Sequence, residues 1–394
     1  MKTCIYCGEE KNPYEFSDEH IWPDALGGDD LPDFWRTDDV CQKCNNLSGL
    51  YVDGAFVKGW PGGAERATGA LEYLSVNDPA RAVLPLNYIG KLPDLNIPAD
   101  EVAEYWAGPC GANIFHFRRA DDGDRWATYA GGDPRKMKKG ATAGRAYIAL
   151  TSTDSFWILV SLASFRAHFK KAALFVTNLT IAPQWTAFKE PDLGDPVQAR
   201  DMSVLSTMIN AGRSGIGTRL DVVVQIGSDS RLLAKLGLAV GYKTFGASFL
   251  ATEYANTLRA ALWEPSLEKR CGLPVRGTGY LHGALPPGSI GAILKWPGAW
   301  VLIMMRSGEL LSLAVIAPSG KSMNVLVCEE SDLVNGLDST YSNGQVWLTV
   351  PPLGEAVGPI PLPDYIAHRS QVMSVPALAA LGAKRIDPST LPPC

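Results

Sequence analysis

The stretch Asp18–Gly28, DEHIWPDALGG, lies between two Cys-x-x-Cys pairs, Cys4/Cys7 and Cys41/Cys44. The pairs are separated by 33 residues, a longer gap than in a simple zinc ribbon. In a protein of a reducing compartment, two such knuckles are typical of a tetrahedral zinc site. A module of about 60 residues with few large apolar side chains needs such a clasp to fold. The sequence therefore predicts structural zinc on these four cysteines.

The composition is that of a soluble globular protein with a sizeable core: 394 residues, 46% hydrophobic and 20% charged. The net charge of −5 excludes a global basic field. The longest apolar run, Phe156–Phe165, is too short to span a bilayer, and the N-terminus lacks the apolar core of a signal peptide. We therefore expect a cytoplasmic protein without membrane contact. The cysteines outside the knuckles are expected to stay single: Cys110, Cys271, Cys328 and Cys394.

The pattern along the chain predicts an α+β fold, with a small N-terminal zinc module (1–60) and a larger mixed domain. Residues 61–227 are predicted to be mostly β, and 228–394 a helical segment, then a β segment, then an irregular Pro-rich tail. Alternatively, 61–394 form one recognition or regulatory domain. Apolar residues at i, i+4 spacing predict a helix from residue 228 that is divided at Gly241 or Gly246 and stopped by Pro265. The later strands are apolar on both faces, so we expect both faces to be covered.

Three motifs, CIYCG, EHIWPDALGG and VCQKCNN, together with Gly49 and Asp53, resemble the HNH endonuclease family. The resemblance implies a treble-clef-like ββα-metal fold, in which a hairpin carries the histidine and a helix opens at the last motif residue. It implies His20 as general base, with Glu19 and Asn45 holding one catalytic Mg²⁺ or Mn²⁺. Aspartate is more common than glutamate at the position of Glu19. The middle asparagine of the family, which orients the histidine, is missing, and Asp38 is the candidate for its place.

Residue chemistry supports the same assignment. Histidine ionises near neutral pH and suits proton removal from water, while carboxylate and amide oxygens suit a hard cation. Neighbouring side chains on a strand point to opposite faces, so Glu19 and His20 converge only where the strand ends or bends. Two alternatives stay open: Asn45 as a helix N-cap, and His20 in a structural or zinc-shell role.

Nucleic-acid binding needs basic groups that the module lacks, because residues 1–60 hold five Lys/Arg against twelve Asp/Glu, a net charge of −7. The best candidate lies in GGDPRKMKKGATAGRAY and comprises Arg135, Lys136, Lys138, Lys139 and Arg145. A solvated basic loop is the alternative, and a homo-oligomer or a partner protein is another source of basic surface. RAHFKK (166–171) is interpreted as the polar end of a buried helix. Trp22 and Trp35 are expected in the core rather than stacked on bases.

These observations predict a metal-dependent endonuclease that hydrolyses nucleic-acid phosphodiester bonds. By the same resemblance, double-stranded DNA is the expected substrate and defence or restriction the expected role. The alternative is a module without nuclease activity that serves as a nucleic-acid- or protein-binding scaffold.

Overall fold

The computed structural model describes residues 1–93, 95–123, 126, 129–141, 143–177, 188–223, 227–284 and 289–394. The chain forms two compact units. Unit 1 comprises Met1–Val57, Thr68–Tyr73 and Ile226–Ile386; unit 2 comprises Lys58–Ala67, Leu74–Gln225 and Asp387–Cys394. The zinc module therefore shares a unit with the C-terminal segment. Among the described residues, we find no helix with the length and apolar character of a membrane span.

The strands are β1 Lys2–Thr3, β2 Glu10–Lys11, β3 Phe16–His20, β4 Arg36–Cys41, β5 Asn87–Lys91, β6 Glu101–Ala107, β7 Asn113–Arg119, β8 Arg145–Ala149, β9 Ala173–Thr177, β10 Gly277–Thr278, β11 Trp300–Ser307, β12 Leu310–Ile316, β13 Ser322–Cys328, β14 Gln345–Val350 and β15 Glu355–Pro361. The helices are α1 Gln42–Ser48, α2 Gly54–Lys58, α3 Trp60–Leu71, α4 Pro134–Lys139, α5 Ser155–His168, α6 Pro196–Arg213, α7 Ser228–Phe245, α8 Ala247–Leu250, α9 Glu253–Trp263, α10 Leu267–Cys271, α11 Ser289–Leu294, α12 Ser331–Asn335, α13 Ser339–Ser342, α14 Leu362–Arg369 and α15 Pro376–Ala383.

The zinc module is a hairpin followed by a helix. Strands β3 and β4 pair antiparallel, with Glu19 opposite Thr37 and His20 opposite Arg36, and α1 follows β4 directly. A β-bulge between Ser17 and Glu19 shifts the register. This is the ββα order that the family resemblance implies, with His20 at the end of the first strand.

A six-stranded antiparallel sheet, in the order β10-β13-β12-β11-β14-β15, organises unit 1. Along β11, Trp300 and Leu302 face one buried cluster, whereas Val301 and Ile303 face another. Both faces are therefore covered, as the apolar strands predict. The predicted helix is α7, which ends before Gly246, and α9 ends two residues before Pro265.

The loop between β3 and β4 is part of the core of unit 1. Trp22 and Trp35 are fully buried, and their ring centroids lie 5.3 Å from those of Trp300 and Trp347, respectively. The prediction that both tryptophans belong to the core is confirmed. The zinc module thus folds onto the sheet through its own large apolar side chains.

Unit 2 contains a five-stranded sheet in the order β5-β6-β7-β8-β9, antiparallel except for the last pair. Helix α5 connects β8 to the parallel strand β9 and packs with one face of the sheet through Ile158, Leu162 and Phe165. Val204 and Leu205 of α6 belong to the cluster on the other face. This two-sided cover makes the unit an α+β layer structure.

The middle segment contains more helix than the mostly β prediction. Helix α5 is apolar almost all round, and periodicity cannot distinguish such a helix from buried strands.

The irregular tail was also a wrong prediction, because β15, α14 and α15 follow one another there. Strand β15 is an edge strand, and Pro363 and Pro376 lie in the first turns of α14 and α15. Proline is tolerated at both kinds of position.

The expectation of single cysteines outside the knuckles is corrected at one pair. Cys110 and Cys394 form a disulfide within unit 2, with Cα atoms 5.2 Å apart. Cys271 and Cys328 are free thiols.

Candidate active site and zinc centre

The two knuckles bring four thiols together. The Sγ atoms of Cys4, Cys7, Cys41 and Cys44 all lie within 4.8 Å of one another. Tetrahedral zinc–thiolate bonds of about 2.3 Å place sulfur atoms about 3.8 Å apart, so this cluster fits a structural zinc ion. The prediction of a four-cysteine metal site is confirmed in its geometry.

Hydrogen bonds support the zinc centre and tie it to the rest of unit 1. The amide of Cys41 donates to Sγ of Cys4 (3.3 Å). On the outer side, Trp263 donates to the carbonyl of Tyr6 (2.8 Å) and Arg259 to that of Ile5 (3.3 Å). Helix α9 therefore fixes the first knuckle.

His20 lies at the half-exposed end of β3 and has a carboxylate partner. Its Nε2 lies 3.2 Å from Oδ1 of Asp29, which follows the double glycine of the loop. Arg36, opposite His20 on β4, contacts the same oxygen at 2.5 Å and lies 3.8 Å from Asp18. A histidine oriented by a carboxylate can accept a proton from water on its other nitrogen, and an adjacent guanidinium can bind an anion.

Glu19 points the other way, into the interior, and is 3% exposed. Its Oε1 lies 2.8 Å from Nζ of Lys235 and accepts hydrogen bonds from Tyr6 (3.3 Å) and Ser48 (3.4 Å). Lys235 comes from α7, more than 200 residues away in the chain. The bulge in β3 does not turn Glu19 and His20 toward one another, and the alternation of a strand holds.

Asn45 lies inside α1, which begins three residues earlier at Gln42 with Cys41 at the N-cap. The N-cap alternative is therefore wrong. The Asn45 amide donates to the carbonyl of Asp18 (2.7 Å) and to Oγ of Ser17 (3.0 Å), so it ties the helix to β3 just before Glu19. The resemblance implied that the helix begins at the last motif residue. It begins earlier, at Gln42.

The predicted orienting residue, Asp38, is exposed on β4 and pairs with Lys2 (2.9 Å). The described contacts of His20 include Asp29 and not Asp38. Among the described contacts, none joins two side chains of the predicted set His20, Glu19 and Asn45. The catalytic roles given to these four residues stay predictions.

Residues 4–61 match the HNH endonuclease family. The match spans both knuckles, the β3–β4 hairpin and α1, and residues 62–394 lie outside it. In the other two comparisons, no curated protein and no solved structure matches the chain. The match supports a nuclease-type function for the matched residues, hereafter the HNH segment, and the four-cysteine cluster belongs to this segment.

The donor set of the HNH segment does not fit a divalent cation on Glu19. The carboxylate is buried, and the ammonium of Lys235 already lies 2.8 Å from its Oε1. A second cation there would face a like charge in a poorly solvated site. No step of the reaction therefore runs through a metal on Glu19 and Asn45.

Acidic partners neutralise three of the five predicted nucleic-acid-binding residues. Arg135 pairs with Asp133 (2.7 Å) and Lys136 with Asp121 (2.8 Å). Arg145 contacts Glu101 and Asp201, at 3.0 and 2.6 Å.

Lys138 and Lys139 of α4 remain exposed, and Nζ of Lys171 donates to the carbonyl of Lys138. We call the four exposed side chains Lys138, Lys139, Lys170 and Lys171 the lysine patch. The described contacts give them no carboxylate partner. The structure thus joins two basic groups that the sequence presents separately.

Sequence reasoning missed Asp29, Arg36 and Lys235. Asp29 and Arg36 lie in the interval between the knuckles, and a search for a carboxylate and a cation near His20 within this interval could have found them. Lys235 carries no comparable signal, because a single lysine in an amphipathic helix is typical of a solvated face.

Proposed function

We propose that this protein hydrolyses phosphodiester bonds of nucleic acid, with His20 as the general base. The observation that carries the proposal is the His20–Asp29 pair at the half-exposed end of β3, within a segment that matches the HNH endonuclease family. Asp29 orients the imidazole through Nε2, which leaves Nδ1 to take a proton from the attacking water. Arg36 lies beside this pair and holds Asp29 in place through its own contact of 2.5 Å.

Double-stranded DNA is the proposed substrate and defence or restriction the proposed role, as the family resemblance implies. The HNH segment is acidic, and within unit 2 the lysine patch carries exposed positive charge that suits binding of phosphates. Zinc on the four cysteines serves folding, because all four positions of a tetrahedral ion are taken by the protein.

The test is cleavage by purified, zinc-loaded full-length protein. Supercoiled plasmid, single-stranded DNA and RNA are incubated with Mg²⁺, with Mn²⁺ and without added divalent metal. We expect plasmid cleavage by the wild type, its loss in His20→Ala, and wild-type cleavage by His282→Ala, which changes an exposed histidine of the same unit. Equal cleavage by His20→Ala, or no cleavage of any substrate, would show that the proposal is wrong.

A second candidate is a binding scaffold without nuclease activity, and the contact of Lys235 with Glu19 favours it. In that case the wild type and His20→Ala bind DNA equally and neither cleaves it. The same preparations, measured by fluorescence anisotropy with a labelled duplex, separate the two candidates.

A further inference from the structure

A buried lysine lies behind the hairpin that carries His20. The side chain of Lys235 is completely buried in unit 1. Its ammonium contacts Oε1 of Glu19 at 2.8 Å and Oδ2 of Asp53 at 2.7 Å, and it donates to the carbonyl oxygen of His20 at 2.9 Å. An ammonium has three donors, and three acceptors surround this one.

The charges of this cluster keep the lysine protonated. Burial alone would lower the pKa of Lys235, but the carboxylates of Asp53 and Glu19 raise it above its ordinary value. A buried carboxylate without a cation is costly, and removing one member of such a cluster leaves an uncompensated charge. The two carboxylates share the one ammonium of Lys235, which is the positive charge that the chain provides to this centre.

The neighbours of Lys235 make the contact rigid. Leu232, Ala234 and Leu236 of α7 are fully buried in the core that also holds Trp22 and Trp35 of the β3–β4 loop. Because the helix is packed on this core, its ammonium is held at a defined place beneath β3. Through the carbonyl of His20, the same ammonium fixes the backbone of the proposed base.

We propose that Lys235 is the resident cation of this centre, so that its ammonium excludes a divalent metal ion from Glu19. Glu19 is then a positioning residue: with Lys235 and Asp53 it holds the end of β3, and it does not ligate metal. The link to catalysis rests on the proposed function of His20, whereas the exclusion of metal rests on the contacts of Lys235 alone.

The experiment measures Mn²⁺ binding by electron paramagnetic resonance of free Mn²⁺, on zinc-loaded full-length protein. We expect Glu19→Gln to bind Mn²⁺ as the wild type does, within twofold. Asp24→Asn, which changes an exposed acid of the β3–β4 loop, measures how much surface carboxylates contribute to Mn²⁺ binding. A tenfold or greater loss of Mn²⁺ affinity in Glu19→Gln, relative to both, would overturn the proposal.

A second pair of variants tests the position of the ammonium directly. Lys235→Met removes the charge at similar length, and we expect it to gain a Mn²⁺ site at least tenfold tighter than any in the wild type. The double variant Lys235→Met/Glu19→Gln should lose that site. A Lys235→Met protein that folds but gains no Mn²⁺ site would contradict the proposal, because a merely structural lysine predicts lower stability alone.

The first comparison does not depend on the folding of a Lys235 variant. Nor does Mn²⁺ binding depend on nuclease activity. Absence of cleavage would overturn the proposed function and leave the assignment of Lys235 intact. Mn²⁺ binding that depends on Glu19 would overturn the assignment of Lys235 and leave the proposed function intact.

Discussion

His20 is held at two atoms by residues from different parts of the chain. Its Nε2 contacts Asp29 at 3.2 Å, and its carbonyl accepts from Lys235 at 2.9 Å. The first contact sets the ring and the second sets the backbone. The carboxylate in contact with the imidazole is therefore Asp29 and not Asp38, which the sequence suggested.

At this scale we predict that Asp29→Asn slows DNA cleavage without unfolding the protein. The amide cannot stabilise a positively charged imidazole, so the variant should lose part of the roughly 10²- to 10⁴-fold that a positioned general base contributes to the rate. Single-turnover cleavage measures the effect. Asp33→Asn, at an exposed acid of the same loop, should cleave at the wild-type rate. Equal rates for all three proteins would remove Asp29 from the mechanism.

The sequence predicted part of the site, for physical reasons that can be stated. The spacing of the two Cys-x-x-Cys pairs predicts the cysteine cluster, because the four ligands of one ion must lie close together whatever the conformation of the chain between them. Neighbouring side chains on a strand point to opposite faces, and the side chains of Glu19 and His20 do so. The partner of Glu19 was out of reach, because the side chain that meets it comes from α7 and no local pattern relates the two positions.

Among the elements, the loop between β3 and β4 depends on a left-handed turn. Gly27 has φ of +89°, and a Cβ there would collide with the side chain of Thr349. The Thr349 hydroxyl also donates to the carbonyl of Leu26 at 2.6 Å, so the close approach is specific. Glycine is the residue that permits both the backbone angle and the contact.

We therefore predict that Gly27→Ala lowers the free energy of unfolding by about 2 kcal/mol or more, since the left-handed conformation alone costs about 1–2 kcal/mol. Gly49→Ala is the matched control: Gly49 has a right-handed helical conformation, and its Cβ would meet open space. It should be neutral or stabilise by up to about 1 kcal/mol. Urea denaturation of both variants measures the difference. Similar losses of unfolding free energy in the two variants would contradict the requirement for glycine at position 27.

In unit 2, strands β6 and β7 are joined by a buried ionic cluster. Glu104 lies 3.0 Å from Nδ1 of His116 and 2.9 Å from Nε of Arg118. Burial acts to raise the pKa of Glu104, but the hydrogen bond from His116 and the charge of Arg118 prevail and lower it. The charged carboxylate therefore stabilises the fold above the ordinary pKa of 4.5, and this contribution is lost as the pH falls below that value.

We predict that Glu104→Gln lowers the free energy of unfolding by about 3 kcal/mol at neutral pH, as expected for a broken buried pair. Its stability should also decline less than that of the wild type as the pH falls through 4.5. Denaturation series across this pH range measure both effects. Glu190→Gln, at an exposed acid of the same unit, should follow the wild type. A parallel decline in all three proteins would contradict the assignment.

Elements whose signal is local were predicted well, and those decided by tertiary context were not. Helix α7 has regular i, i+4 spacing and a glycine at its end, and it is present as predicted. Helix α5 lacks a polar face because both sides are buried, so periodicity predicted only its polar end, near residues 166–171, and not its extent. The prolines of the tail suggested irregular chain, but they occupy an edge strand and first helical turns, where an absent amide proton costs nothing.

For the molecule as a whole, zinc should matter to all of unit 1, because the HNH segment shares the core of residues 226–386. We predict that Cys41→Ser loses zinc and about 5 kcal/mol of stability. Cys271→Ser, at an exposed free thiol of the same unit, should change stability by less than about 0.5 kcal/mol. Zinc content and thermal unfolding measure the pair. A zinc-free Cys41→Ser protein that unfolds like the wild type would contradict the shared core.

The second prediction at this scale concerns DNA affinity. Lys138→Ala/Lys139→Ala should weaken DNA binding and reduce the slope of log affinity against log salt by about 0.9 for each phosphate that the variant no longer neutralises. Lys269→Ala/Lys321→Ala removes two exposed lysines of unit 1 and should leave the slope unchanged. Fluorescence anisotropy at several salt concentrations gives both slopes. Equal slopes in the two double variants would show that the lysine patch does not bind DNA.

Trp22 packs against Trp300 and Trp35 against Trp347, so we do not expect the HNH segment to fold independently of these partners. Excised at residue 61, it would expose both indole rings to water, and we expect it to aggregate. A recombination event that moves this segment must carry residues 226–386 with it, or find a recipient with an equivalent apolar sheet. For protein engineering, the smallest transplantable piece is therefore defined by the tryptophan partners and not by the zinc ligands.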